Sequence, residues 1–518
     1  MKQPQGKMQQ SGSGLCAADE SRLASSFAVR AVHWLGSVLG LLLVLAPPAL
    51  AARGAQAQPT PPLLVLVGGT VIDLSNWGHS ASDLHDAVIY IRDGRITTVG
   101  PRAAIPIPKG ATVIDCTGKF LVPGLVDGYA TMSSQGEAQA NLYMGVTTVV
   151  ARTGGNDGPP DLYARPGPQV YRIATVGTTD NDNPLRALPG WKQTLTVTGA
   201  HPTELTPAQT ALELTALQQM GVRAVVIGPA VTAANSQWIL EHARGLGLAT
   251  YGVFAATPVR LGVNDGVDVL LHMGRYEIGV VPDELQQPLA DDAYDAAART
   301  AYGYAEHLPP MDEHLRAYAR FLAAHRTALM PTFSEYFLRL PDHRNLWASP
   351  AARLLNPHLA DGVTDRATGE MIYPLPNWEH KLPQITQRWL EVGLSKRANQ
   401  QADRLWAINQ ALFESYPHYL AGSGAAELGA LPGISLQIEL QMLTRLGLSP
   451  REALAAATSN FASQMHWTEL GSIEPGRRAD ILVLDADPTA SVWNLQQFQT
   501  LVVNGVVMPR AALLQLSR

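Results

Sequence analysis

Two kinds of hydrophobic spacing alternate along this chain. Residues 63–73 (LLVLVGGTVID), 86–100 (DAVIYIRDGRITTVG) and 111–118 (ATVIDCTG) are short β-rich runs. Asp93-Gly94 separates VIYI from RITTVG, and this dipeptide favours a tight hairpin turn. The same style returns at 471–488 (GSIEPGRRADILVLDADP) and 500–508 (TLVVNGVVM), the latter around Asn504-Gly505. The two sets predict one small β-sandwich assembled from N- and C-terminal segments.

The middle of the chain has a longer period. Amphipathic stretches at 207–220, 235–246 and 314–325 alternate with apolar runs at 145–151, 221–228, 247–254, 266–274 and 326–333. A helix, a small turn and a fully apolar strand, repeated, is the pattern of parallel βα units. Such units build an open doubly wound sheet or a closed barrel. No GxGxxG follows the first strand, which disfavours a dinucleotide fold. The number of units and the bracketing sandwich predict an α/β chain, a (β/α)8 TIM-like barrel. The expected boundaries are 1–57 for a leader, 58–120 and 469–518 for the two sandwich parts, and 121–468 for the barrel. Residues 335–420, rich in Pro, Trp, His and Arg, read as an insertion that forms a lid or rim, with a helix over about 384–413.

The leader carries Arg30, an apolar core at 34–46, then Pro47-Pro48 and small residues. This is the layout of a secretory signal. The core is shorter than the roughly 20 apolar residues of a permanent span. The expectation is an exported protein, periplasmic or extracellular, with inner-membrane anchoring as the alternative. The polar stretch 1–29 is long for a signal, so translation could start downstream. Cys16 would leave with the leader, and Cys116 would stay as a buried small hydrophobe. A net charge of −6 gives no electrostatic reason to expect nucleic acid.

Candidate chemistry centres on residues 118–132, GKFLVPGLVDGYATM. This passage, the GVTTVV strand, 447–465 (GLSPREALAAATSNFASQM) and GSIEPGRRADILVLDADP resemble the amidohydrolase superfamily, in its imidazolonepropionase- and prolidase-like branch. The resemblance covers about residues 64–508. It implies a barrel whose strand ends hold a divalent metal, and it implies which positions do so.

By that resemblance the first strand supplies His-x-His after "VDG", and here Tyr129-Ala130-Thr131 stand there. The fourth-strand lysine would fall at Val225 to Ile227. The fifth-strand histidine would fall near Tyr251. The sixth-strand histidine has a counterpart in His272, within VDVLLHMG. The eighth-strand aspartate of "AGTDA" is replaced in Ala421-Gly422-Ser423-Gly424-Ala425 by Gly424. Neither alanine nor glycine offers a metal donor, and phenols and hydroxyls are poor zinc ligands. His307, His343, His358, His380, His418, Glu414 and Glu427 match no metal-ligand spacing. There is no GxSxG, P-loop or CxxC; Ser423 in G-S-G lacks an accompanying base.

The pocket candidates are therefore Tyr129, Thr131, Tyr251, His272, Ser423 and Gly424, with His272 the one retained ligand-like position. The expected cofactor is none, with zinc or another divalent metal as the alternative. One expected function is a non-catalytic or weakly active relative that binds a small molecule, itself, or an active amidohydrolase. A second is a hydrolase of cyclic amides or dipeptides with a relocated site. A third is an envelope-associated binding protein.

Overall fold

In the computed structural model, residues 63–152, 166–178, 204–281, 313–340, 343–361, 363–370 and 405–515 are described. The leader, and the insertion between residues 371 and 404, lie outside them. Among the described residues, fifteen strands form two sheets.

The first sheet comes from both β-rich ends of the sequence. Strands β1 (Leu64–Val71), β2 (Leu84–Arg92), β3 (Arg95–Pro101), β4 (Thr112–Asp115) and β5 (Phe120–Pro123) join β13 (Ile481–Leu484), β14 (Phe498–Val503) and β15 (Val506–Pro509). The order is β15-β14-β13-β5-β1-β2-β3, with β4 also paired to β1. The seam is the antiparallel pair β5–β13, with Phe120 opposite Leu484 and Pro123 opposite Ile481. Asp93-Gly94 and Asn504-Gly505 turn with positive φ at all four residues (50°, 75°, 49° and 76°). That geometry is the one such dipeptides tolerate and bulkier ones do not. A bridge between Arg95 and Arg478 returns the edge strand β3 to the chain just before β13. Leu66, Ile89, Ile91, Leu121, Ile481 and Val502 fill the core of this layer.

The second sheet is parallel and runs in chain order: β6 (Leu125–Ala130), β7 (Val146–Arg152), β8 (Gln169–Val176), β9 (Val222–Ile227), β10 (Ala249–Gly252), β11 (Val269–Leu271) and β12 (Ala328–Met330). β8 follows Pro166-Gly167-Pro168, and the sequence pattern did not mark it. Residues 418–422 take the eighth place. The Leu329 N–H donates to the His418 carbonyl (3.0 Å), the Leu420 N–H to the Leu329 carbonyl (2.8 Å), and the Gly128 N–H to the Ala421 carbonyl (3.1 Å). The sheet thus closes on itself as a TIM-like barrel.

Both faces of these strands are dry, which explains their continuous apolar text. Ala224 and Val226 pack with Val150, Tyr251 and Met330 inside the barrel, whereas Val225 and Ile227 join the outer core. The outer helices include α1 (Gln135–Tyr143), α2 (Pro207–Gln219), α3 (Ala233–Gly245), α4 (Val259–Asn264), α5 (Glu313–His325), α6 (Ile434–Leu446), α7 (Pro450–Ala456) and α8 (Ser459–Gln464). Helices α2 and α7 start where the sequence marks them, since Thr206 and Ser449 close capping boxes with Gln209 and Glu452 ahead of a first-turn proline. Residues 405–413 are also helical. Arg451 of α7 reaches the first sheet's connection and grips both oxygens of Asp83 (2.7 and 2.8 Å). No helix among the described residues is long and apolar enough to cross a membrane.

Candidate functional site

Parallel strands leave their carboxyl ends at one mouth, and loops there carry side chains that no strand pairing uses. β6 ends in Asp127 and Tyr129, β7 in Arg152, β11 leads into His272, β12 into Thr332 and Glu335, and the eighth segment into Ser423 and Gly424. His272 has φ 64° and Thr332 φ 51°. Left-handed backbone is strained for residues with a Cβ, most of all a β-branched one. The two strained residues meet: His272 Nδ1 lies 2.9 Å from Thr332 Oγ1. The Thr332 hydroxyl donates to the Pro331 carbonyl (2.7 Å), so it accepts from His272. The imidazole then carries its proton on Nδ1 and presents a bare Nε2. The Tyr129 ring stands edge-on to it, with centroids 5.3 Å apart.

Glu335 occupies the space in front of Gly424. A Cβ built on Gly424 would fall 2.6 Å from the Glu335 Cδ and 2.7 Å from its Cγ. A carboxyl group therefore sits where an eighth-strand side chain would project, but it arrives from the turn after the seventh strand. Its Oε1 is 3.5 Å from His272 Nδ1. Gly424 itself has φ 65° and donates its N–H to the Tyr129 carbonyl (2.8 Å).

Other acids surround this pair. Asp127 is fully buried and accepts the Ser423 N–H (2.8 Å) and hydroxyl (2.6 Å). Ser334 donates its N–H to Glu439 Oε2 (2.8 Å) and its hydroxyl to the Ser423 carbonyl (2.6 Å). Glu427 pairs with Arg152, whose guanidinium stands 5.5 Å from the Tyr129 ring centre. Burial sets the protonation here. It pushes Asp127 up to about 6 against the hydrogen bonds from Ser423, and Glu439 up to about 8. Burial, then Glu427 and Glu439, hold Glu335 well above the usual carboxylate range. Burial, then Arg275 and Arg152, push His272 down to about 3.

The remaining sequence candidates have other partners. Tyr251 is fully buried and donates its hydroxyl to the Gly128 carbonyl (3.0 Å). Thr131 accepts the Ala426 N–H (2.9 Å). His343 and His358 bond locally to the Leu340 carbonyl and Asp361. His418 lies at the strand start, opposite the mouth, and stacks on Trp77 at 4.3 Å. His307 and His380 fall outside the described residues. Among the described residues no three His, Cys, Asp or Glu side chains are placed to share a metal ion. His272 and the Glu335 carboxyl come within 3.5 Å of each other, but no third such donor converges with them among the described residues, so the arrangement does not fit a divalent metal. Sequence reasoning missed Arg152, Glu335 and Glu439. The available signal was an unassigned acid, Glu335, shortly after a strand adjoining the one that lacks its own. A cleft of about 930 Å³ lies elsewhere, between the first sheet and residues 459–477, lined by Trp77, Asn460, His466 and Trp467 among others. None of the mouth residues borders it.

A closed parallel barrel with a two-ended sheet beside it, and a polar cluster at the strand ends, defines a TIM-like α/β protein. The amidohydrolase family model matches residues 423–508. The imidazolonepropionase of Rhizobium rhizogenes is 39% identical over 80 residues, 14% of this chain and 20% of that protein. The chain thus spans about a fifth of that curated relative's length. In fold it is similar to a prolidase structure from Bifidobacterium longum (TM-score 0.54, 20% identity, 88% of this chain and 99% of that one). It is also similar to molinate hydrolase (TM-score 0.55, 16% identity, 89% and 99%). The family match over residues 423–508 and the shared fold support a place in the amidohydrolase superfamily.

Proposed function

We propose that this protein is a non-catalytic member of the superfamily that uses the barrel mouth to bind a small molecule. The observation that carries this reading is the Glu335 carboxyl filling the space before Gly424. A hydrolytic metal centre needs donors that converge on open space, whereas here the Glu335 carboxyl occupies that space. The strained His272 and Thr332 support retention of the mouth for binding, because strain persists where a function or its surroundings hold it. Export to the periplasm or beyond, self-association and pairing with an active relative belong to the same proposal. Elemental analysis after incubation with Zn²⁺, Mn²⁺ and Co²⁺, with assays on dipeptides and cyclic amides, tests it. Metal far below one per chain and no turnover are expected. One or two tightly held metals with hydrolysis would overturn the reading in favour of a hydrolase with a relocated site, the activity its relatives' names suggest.

A further inference from the structure

The mouth holds more carboxyl than cationic groups. Asp127, Glu335, Glu427 and Glu439 face Arg152 and Arg275. Two of the four acids are fully engaged, Asp127 by Ser423 and Glu427 by Arg152. The other two are not. Glu335 is 4% exposed and Glu439 is 0% exposed, yet Glu335 Oε1 and Glu439 Oε1 have no hydrogen-bond donor. His272 Nδ1 cannot serve Glu335 well, since it is 3.5 Å away and already bonded to Thr332. Buried acceptors are nearly always satisfied, and one left unmet costs about 1–3 kcal/mol. A group with N–H donors and positive charge meets both deficits at once.

We propose that the barrel mouth is a site for a small organic cation, a primary or secondary ammonium. Its N–H groups donate to Glu335 Oε1, and its carbon skeleton lies against the Tyr129 ring. Burial holds the free Glu335 carboxyl neutral; an ammonium beside it favours the ionised form, whose charge-assisted bond is short and strong, and the face of a phenol ring also attracts a cation. The side chains of His272, Arg152 and Glu427 beside the buried Glu335 are 18%, 21% and 43% exposed, so solvent reaches the rim of the site. An anionic ligand would meet the carboxyl excess, and no three donors converge for a divalent metal among the described residues. The inference rests on the small-molecule reading above and names its ligand class.

The test uses the full-length protein with ethylammonium and pyrrolidinium chloride, and two controls at equal ionic strength. Tetramethylammonium carries charge without N–H donors, and acetate carries the opposite charge. Calorimetric titration and thermal melts should show one ethylammonium or pyrrolidinium per chain and a raised melting temperature. Glu335→Gln should weaken that binding about tenfold or more, because a charge-assisted bond becomes a neutral one. Tyr129→Leu should weaken it to a smaller degree, and it serves as the second variant should Glu335→Gln not fold. Equal stabilisation by tetramethylammonium or acetate would overturn the inference, as would no binding or undiminished binding by the variants. Metal analysis of the same samples separates the two claims. Stoichiometric metal would sink the non-catalytic reading, whereas metal-free protein blind to ammonium would sink this inference alone.

Discussion

Ser423 binds Asp127 through two atoms, its backbone N–H on one carboxylate oxygen (2.8 Å) and its hydroxyl on the other (2.6 Å). The pair ties the first barrel strand to the eighth segment, 296 residues later. Ser423→Ala would leave a fully buried oxygen without its donor. A loss of about 1–3 kcal/mol is expected. Urea unfolding checks it through a lower midpoint at unchanged slope, and an unmoved midpoint would deny the pair its structural role.

Gly424 and Glu335 share one space, so their substitutions should not add. Gly424→Asp places a side chain into the Glu335 carboxyl at φ 65° and should cost about 2–4 kcal/mol by strain and overpacking. Glu335→Ala in the same chain vacates that space. The double variant should recover about 1–3 kcal/mol relative to the sum of the singles, as contacting sites do. Additive losses across the four proteins would show that the two positions are independent.

The pH dependence of stability should carry two opposed signatures from the mouth. His272 is held at about 3 in the folded protein, below the ordinary 6.5. Between those values the unfolded chain holds more protons, so stability falls as pH drops through that window. Glu439 is raised from 4.5 to about 8. Its contribution is full below 4.5 and is lost as pH rises to 8. His272→Gln should flatten the acid limb and Glu439→Gln the neutral one, in denaturation series from pH 4 to 9. A His272 ring resonance titrating near 6.5 would contradict the first claim.

The clamp between Arg451 and Asp83 predicts a separate acid effect. Partial burial raises the Asp83 pKa, but the Arg451 fork and the Asp73 N–H outweigh it and leave it below 3.8. Its stabilisation is present above the unfolded value and disappears as pH falls through the lower folded one. Arg451→Lys loses the two-pronged geometry and should cost about 1–2 kcal/mol at pH 7. The gap between variant and parent should close at the acid end of a melting series. A constant gap would mean that packing of the long side chain, not the ion pair, carries the effect.

Much of the architecture was legible because it is written in local patterns. Continuous apolar runs such as 224–227 mark strands buried on both faces, and Asp93-Gly94 and Asn504-Gly505 mark hairpins by backbone tolerance alone. The mouth was legible in part. Tyr129, His272 and Gly424 could be placed from their position after recognisable strands. Glu335 could not, because its partner at residue 424 is brought near only by barrel closure. Ser423 gave a similar difficulty: its hydroxyl looks available in G-S-G, and only the fold reveals Asp127 beneath it. Tyr251 reads like a mouth residue by register, yet its hydroxyl is bonded to Gly128 inside the barrel.

The seam between β5 and β13 also has a consequence in time. During synthesis, Phe120–Pro123 emerges long before Ile481–Leu484, its antiparallel partner. Until that late segment leaves the ribosome, one edge of the early strands has nothing to pair with, and an unpaired edge invites wrong partners. The barrel can gather strand by strand as it appears, but the sheet beside it is finished last. A ribosome that stalls before residue 481 would release a chain with an open strand edge, a natural substrate for chaperones and proteases.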